Sequence, residues 1–183
     1  DIASQPDPAR LALDRAPDLG AVILSGSTRQ SGFLPFDALI DAGRTIPDEA
    51  VDNARNAISP EDPAAMIYTS GTTANPKGCV LTHASLQRSW YTYAEIVDLK
   101  QGQKVWMPMP FFHTGGIGPM TAILSRGAAF MTQPHFEADG AVKLIEDYRI
   151  DHLYPGFPQM SLAVLEHPDY SKRSFSFVRS LLN

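Results

Sequence analysis

From residue 64 onward, short apolar runs alternate with segments of helical period, an order that a sheet wound with right-handed crossovers requires. Runs at 64–68, 78–81, 104–109, 128–132 and 151–154 read as strands. Between them, 82–98, 117–124, 137–149 and 157–166 read as helices. Thr82 is a candidate N-cap, and Leu86, Trp90, Tyr93, Ala94 and Val97 recur at the spacing of a core-facing stripe. Ala141, Ile145 and Tyr148 form a second stripe, and Gly127 is a helix stop. The expected fold class is α/β, with a mostly parallel sheet and helices on both faces. Upstream, 21–24 reads as a strand, and 11–16 and 33–40 as short helices. Residues 44–62 are polar, contain Pro47 and Pro60, and show no sustained period, so they read as a long connection. The expected organisation is a partial α/β segment over 1–62 and an α/β subdomain over 63–183, truncated at its C-terminal end. The chain starts without Met, and 175–183 enters a strand with no closing turn, so the expectation is a piece of a longer protein.

Composition removes several classes. Hydrophobic residues make up 44% of the 183 and charged residues 19%, which is a globular balance rather than a disordered one. A net charge of −5 with scattered Lys and Arg argues against a nucleic-acid surface. Cys79 is the only cysteine, so no intramolecular disulfide forms, which fits a reducing compartment. No apolar run approaches the roughly 18 residues of a membrane helix, and the N-terminus lacks a signal-peptide pattern. The expected location is cytoplasmic. A homo-oligomer is compatible with the sequence, which does not fix the oligomeric state.

The chemistry concentrates between the first two of these strands. Thr69, Ser70, Thr72 and Thr73 supply hydroxyls, Gly71 lets backbone amides approach an oxyanion, and Lys77 supplies a mobile cation. Clustered donors with one point charge suit a polyphosphate. The spacing G-x-x-x-x-G-K-[ST] is absent, since Lys77 precedes Gly78 and Cys79 follows, and Pro76 bars a helix start there. A Ser/Gly-rich hairpin between two strands also fits this composition.

The order Thr69-Ser70-Gly71-Thr72-Thr73-Ala74-Asn75-Pro76-Lys77-Gly78 resembles the phosphate-loop signature T-S-G-T-T-G-x-P-K-G of the adenylate-forming superfamily. That superfamily includes acyl- and aryl-CoA synthetases, peptide-synthetase adenylation domains and beetle luciferases. The one departure is Ala74, where glycine is usual. If the loop needs φ > 0 there, alanine strains it. Pro108 to Gly116, with Phe111-Phe112-His113, resembles the family's P-x-F-H segment. Tyr154-Pro155-Gly156-Phe157-Pro158 resembles its G-V-P element. The resemblance covers essentially the whole chain, most clearly 64–183, and implies a fragment of the large multi-subdomain N-terminal domain.

The resemblance implies ATP-dependent activation of a small-molecule carboxylic acid to acyl-AMP, then thioester formation with coenzyme A. Thr69, Ser70, Gly71, Thr72, Thr73, Lys77 and Gly78 would bind ATP phosphates, with Lys77 and His113 as the catalytic residues. His113, Gly115, Gly116 and Gly156 would line the acyl pocket, and Thr69 would be a partial ligand of Mg²⁺. Fatty-acid metabolism is the implied setting. The adenine- and ribose-binding segments and the small C-terminal domain would follow Asn183, so the fragment alone is expected to be inactive. A peptide-synthetase-type adenylation domain and a non-catalytic nucleotide-binding module remain alternatives.

Plainer readings stand beside these. His113 also fits a satisfied histidine in a strand-to-helix turn, and Gly115, Gly116 and Gly118 also fit helix packing. His83 reads as structural, while His135, His152 and His167 read as solvated. Cys79 reads as a small packed side chain, and the Trp90/Tyr91/Tyr93 cluster as core.

Overall fold

A computed structural model describes residues 2–70 and 75–182, which form two compact units, Asp1–Ile58 and Ser59–Asn183. In the first unit, β1 (Ile23–Leu24) and β2 (Leu34–Pro35) pair in parallel, followed by α1 (Phe36–Gly43) and α2 (Asp48–Asn56). The helix expected over 11–16 does not form. Leu11 is instead buried and donates its N–H to the Gly20 carbonyl. A segment that short does not nucleate a helix alone, and Pro17 biases Ala16 away from helical backbone. Helix α2 lies where a structureless connection was expected. It buries no residue, so it carries no apolar stripe to read. It rests on local charge order: Asp48 and Glu49 at the N-terminal turn, and an Arg55–Asp52 ion pair at 2.8 Å one turn apart.

The second unit opens with β3 (Pro63–Thr69) and β4 (Lys77–Thr82), which pair antiparallel. A parallel return needs a dozen or more connecting residues, and 70–76 is too short, so the segment closes as a hairpin outside the parallel sheet. Helix α3 (His83–Ile96) follows, with the Thr82 hydroxyl accepting from the Ser85 N–H at 3.2 Å as its N-cap. The main sheet is all parallel, in the order β6 (Ala129–Met131), β5 (Lys104–Trp106), β7 (His152–Leu153), β8 (Ser180–Leu181). Its crossovers are α4 (Thr114–Ser125), α5 (Ala138–Asp147) and α6 (Pro158–Leu165).

Adjacent side chains of a strand point to opposite faces, and the two cores follow that rule. Val105 packs with Ala94, Leu99, Ala122, Ile123 and Ala128, which come from α3, α4 and their flanks. Trp106 packs with Ala141, Val142, Ile145 and Val164 of α5 and α6. Helices therefore cover both faces, with β5 between them.

Several solvent-facing and core assignments reverse. His152 is buried: its Nδ1 lies 2.8 Å from Ser180 Oγ and its Nε2 3.1 Å from Gln103 Oε1, which ties β7 to β8 and to the turn before β5. Burial holds its imidazole below the ordinary histidine range. His167 is mostly covered too, with Nε2 2.6 Å from Asp139 Oδ1 and Nδ1 accepting from the Asp169 N–H. Tyr148 is exposed, because α5 ends at Asp147 and Arg149 turns the chain at φ 49°. Cys79 is exposed, since no element within the unit covers its part of β4. Among the described residues, no helix is long and apolar enough to cross a membrane.

Candidate functional site

The hairpin brings the loop's two ends together. Thr69, the last residue of β3, stands opposite Lys77, the first of β4. Directly opposed residues project to the same face, so a hydroxyl and an ammonium share one side of the loop's base. Both are exposed, as is Ser70, and Lys77 has no ion-pair partner among the described residues. The Thr69 hydroxyl donates only a long hydrogen bond, 3.5 Å, to the Lys77 carbonyl. A free cation beside lightly engaged hydroxyls can receive a polyphosphate. Gly78 opposes Tyr68, and a Cβ there would sit 2.8 Å from Met66 Sδ, so the glycine admits that side chain. Gly71, Thr72, Thr73 and Ala74 lie outside the described residues.

His113 is the N-cap of α4. Its extended backbone precedes the first helical residue, and its Nδ1 accepts the Gly115 N–H at 3.0 Å. The ring is exposed, not a buried histidine satisfied within the turn. The resemblance implied Gly115, Gly116 and Gly156 at the acyl pocket, helix packing was the other reading of Gly115, Gly116 and Gly118, and Gly116 and Gly118 have close packing neighbours. A Cβ on Gly116 would meet the Pro110 carbonyl oxygen at 2.2 Å. One on Gly118 would meet Trp90 Nε1 at 1.8 Å, so α4 lies directly on the indole of α3. Gly115 faces His113 and Met109, and Gly156 turns at φ 79° over Met109. Gly118→Val should therefore displace Trp90 and cost about 1–3 kcal/mol of stability, as overpacking does. A denaturation midpoint equal to the parent's would contradict that contact.

Beside this helix start lies a cleft of about 690 Å³. Its walls include Leu81, Leu86, Trp90, Tyr93, Ile96 and Tyr154, and none of the described residues that line it is charged. Thr114, next to His113, forms part of its rim. Each of the three motif-bearing segments thus contributes: Leu81 four residues after Lys77, Thr114 beside His113, and Tyr154 just ahead of Gly156. Trp90, Tyr93 and Tyr154 meet edge-on, with ring centroids 5.4 to 6.2 Å apart. Burial, with Tyr154 as neighbour, raises the Tyr93 phenol above its ordinary range. The sequence assigned Trp90 and Tyr93 to the core and Tyr154 to a strand. The available signal for a site was Tyr154's place at a strand's carboxyl end, where open α/β sheets bind ligands.

Described in its own terms as an AMP-binding enzyme, one family model matches residues 5–183. The chain belongs to that family. Among relatives of this chain, a Bacillus subtilis (strain 168) protein named provisionally as an acyl-CoA synthetase, YngI, is 32% identical over 174 residues, covering 94% of this chain and 32% of that protein. The 4-coumarate–CoA ligase 4 of Arabidopsis thaliana is 30% identical over 181 residues, covering 94% and 29%. The chain thus spans about a third of the length of the curated relatives it matches. A solved fatty acyl CoA synthetase of Mycobacterium tuberculosis superposes with a TM-score of 0.66 at 21% identity, covering 81% of this chain and 28% of that one. That likeness, at 21% identity, concerns the α/β fold alone.

Proposed function

We propose that the protein carrying this chain activates an apolar carboxylic acid with ATP and transfers it to coenzyme A. The observation that carries the reading is the uncharged, aromatic-walled cleft ending at the start of α4, beside His113. An acyl or aryl tail fits those walls, and a carboxylate at the rim meets the positive end of a helix.

In the first step, a carboxylate oxygen attacks the α-phosphorus of ATP, forming the acyl–phosphate bond as pyrophosphate leaves. In the second, a thiolate attacks the acyl carbon and AMP leaves. The chain's own contribution is electrostatic and positional. Lys77 holds phosphate charge, Thr69 and Ser70 donate hydroxyl hydrogen bonds, and the loop's Gly71, Thr72 and Thr73 belong to the same reading. Mg²⁺, where bound, would neutralise phosphate charge, and the Thr69 hydroxyl is the candidate protein ligand. The described residues hold no cluster of three His, Cys, Asp or Glu side chains.

Coenzyme A is preferred over a carrier-protein thiol because the relatives named above are CoA ligases and synthetases. The decisive experiment is a panel of straight-chain and aromatic acids and amino acids offered to the full polypeptide with ATP, scored by pyrophosphate release with and without coenzyme A. Apolar acids should release pyrophosphate and yield a thioester. Activity confined to amino acids, or ATP binding without turnover of any acid, would overturn the reading.

A further inference from the structure

We infer that the buried His152 ring is an acid-released latch: while neutral it fastens β8 to β7, and with β8 the Leu182 wall of the cleft, and protonation lets that strand go. The effect on the acid substrate rests on the ligase reading, and the latch itself does not.

The hydrogen bonds leave one arrangement of protons. The Lys100 N–H donates to Gln103 Oε1 at 2.7 Å, which identifies that atom as the amide oxygen. An amide oxygen only accepts, so His152 Nε2, 3.1 Å away, carries a hydrogen and donates it. Nδ1 of the neutral ring is then an acceptor, and Ser180 Oγ donates to it at 2.8 Å. A proton added at Nδ1 would face the hydroxyl hydrogen. The hydroxyl must turn away, and the ring becomes a cation in a site 2% exposed. The neighbouring acid, Asp151, is already engaged: it accepts from Arg179 Nε at 3.3 Å and from the Lys104 N–H at 3.0 Å. Lys100 and Lys104 send their ammonium groups elsewhere, to Asp98 and to the Tyr148 carbonyl. Burial outweighs the attraction of Asp151, and Arg179 opposes the cation, so the folded ring stays neutral below the ordinary histidine range.

The element that yields is β8. It is two residues long and, among the described residues, pairs with β7 alone. Its backbone ties there are the Arg179 N–H to the Asp151 carbonyl at 2.7 Å and the Leu182 N–H to the Leu153 carbonyl at 3.0 Å. His152 stands opposite both Val105 and Ser180, so the three share the face of the sheet on which the cleft lies. Two residues further along each strand, Tyr154 and Leu182 return to that face, and both line the cleft. The latch therefore sits one step below the cleft wall, and releasing β8 moves Leu182.

Hydrogen exchange on the full polypeptide reads the latch directly and needs neither turnover nor a variant. The Arg179 and Leu182 amides report on β8, and the Met107 amide, bonded to the Met131 carbonyl at 2.9 Å, reports on the β5–β6 side. The folded ring takes up a proton less readily than the released one, so the fastening is complete above about pH 6.5 and weakens as the pH falls below it. Corrected for intrinsic exchange, β8 protection should fall about 10-fold between about pH 7.5 and 5.5, the most that one proton allows over the unit below the released ring's value. Met107 protection should hold constant. Unchanged protection of β8, or an equal loss at Met107, overturns the latch.

A second measurement ties the effect to the ring. His152→Gln keeps an amide N–H to offer Gln103 and has no proton to gain. Its β8 protection should stay level over the same interval. In the parent, the KM for the acid should rise several-fold at the acidic end relative to the KM for ATP, and in the glutamine variant that ratio should stay flat. A glutamine variant that follows the parent's pH profile in either measurement would overturn the inference. Acid-dependent loss of β8 protection in a polypeptide that activates no acid supports the latch and removes only the ligase reading.

Discussion

Lys77→Ala in the full polypeptide is expected to lower kcat/KM for ATP about 10- to 100-fold, the weight of a hydrogen bond to a charged group. The lysine leads β4 opposite Thr69, exposed and without an ion pair among the described residues, so it takes up phosphate charge without first releasing a partner. Most of the loss should appear as a higher KM for ATP and a slower adenylation step, with the KM for the acid nearly constant. Lys77→Arg should recover only part, because a planar fork does not replace a compact point charge on a flexible stem. Pyrophosphate release measured against ATP concentration decides it: unchanged ATP kinetics in the alanine variant would remove the loop from the site.

Trp106→Ala should cost about 3–5 kcal/mol, the usual result of emptying a large aromatic site. Trp106 sits on β5, between β6 and β7, and is 1% exposed against α5 and α6, with the Phe136 ring 6.1 Å away. Its indole N–H is buried without a hydrogen-bond partner among the described residues. Trp106→Phe removes that unpaired donor along with some volume, so its loss should be well under half of the alanine loss. Denaturant titration checks both: a shifted midpoint with constant slope isolates stability, and equal losses would contradict the assigned packing. The site should feel the alanine variant through unfolding alone, since Trp106 faces away from the Val105 side where the cleft lies.

Legibility differed between local and distant contacts. The N-cap at Thr82, the stripe of α3, and the alternation that makes β5, β6, β7 and β8 are local patterns, and the structure carries them. The apolar runs marked core strands because the parallel sheet is covered on both faces. Helix α2 was hidden for the opposite reason: it has no buried face, and its support is charge order at its ends. His152 looked like one polar residue among several. Its burial depends on Gln103 and Ser180, 49 and 28 residues away in sequence. Tyr148 kept a helical spacing beyond the point where the helix stops.

The candidate site divides along the same line. The identity and order of residues from Thr69 to Gly78, and the placing of His113 between a strand and a helix, were readable in the chain as written, because short-range order specifies which donors and cations a loop can offer. The antiparallel closure of that loop, the cap from His113 to Gly115, the use of Gly116 and Gly118 against Pro110 and Trp90, and the cleft beneath Tyr154 appear only after folding. Each depends on which surfaces meet, and close packing joins residues whose separation along the chain carries no signal.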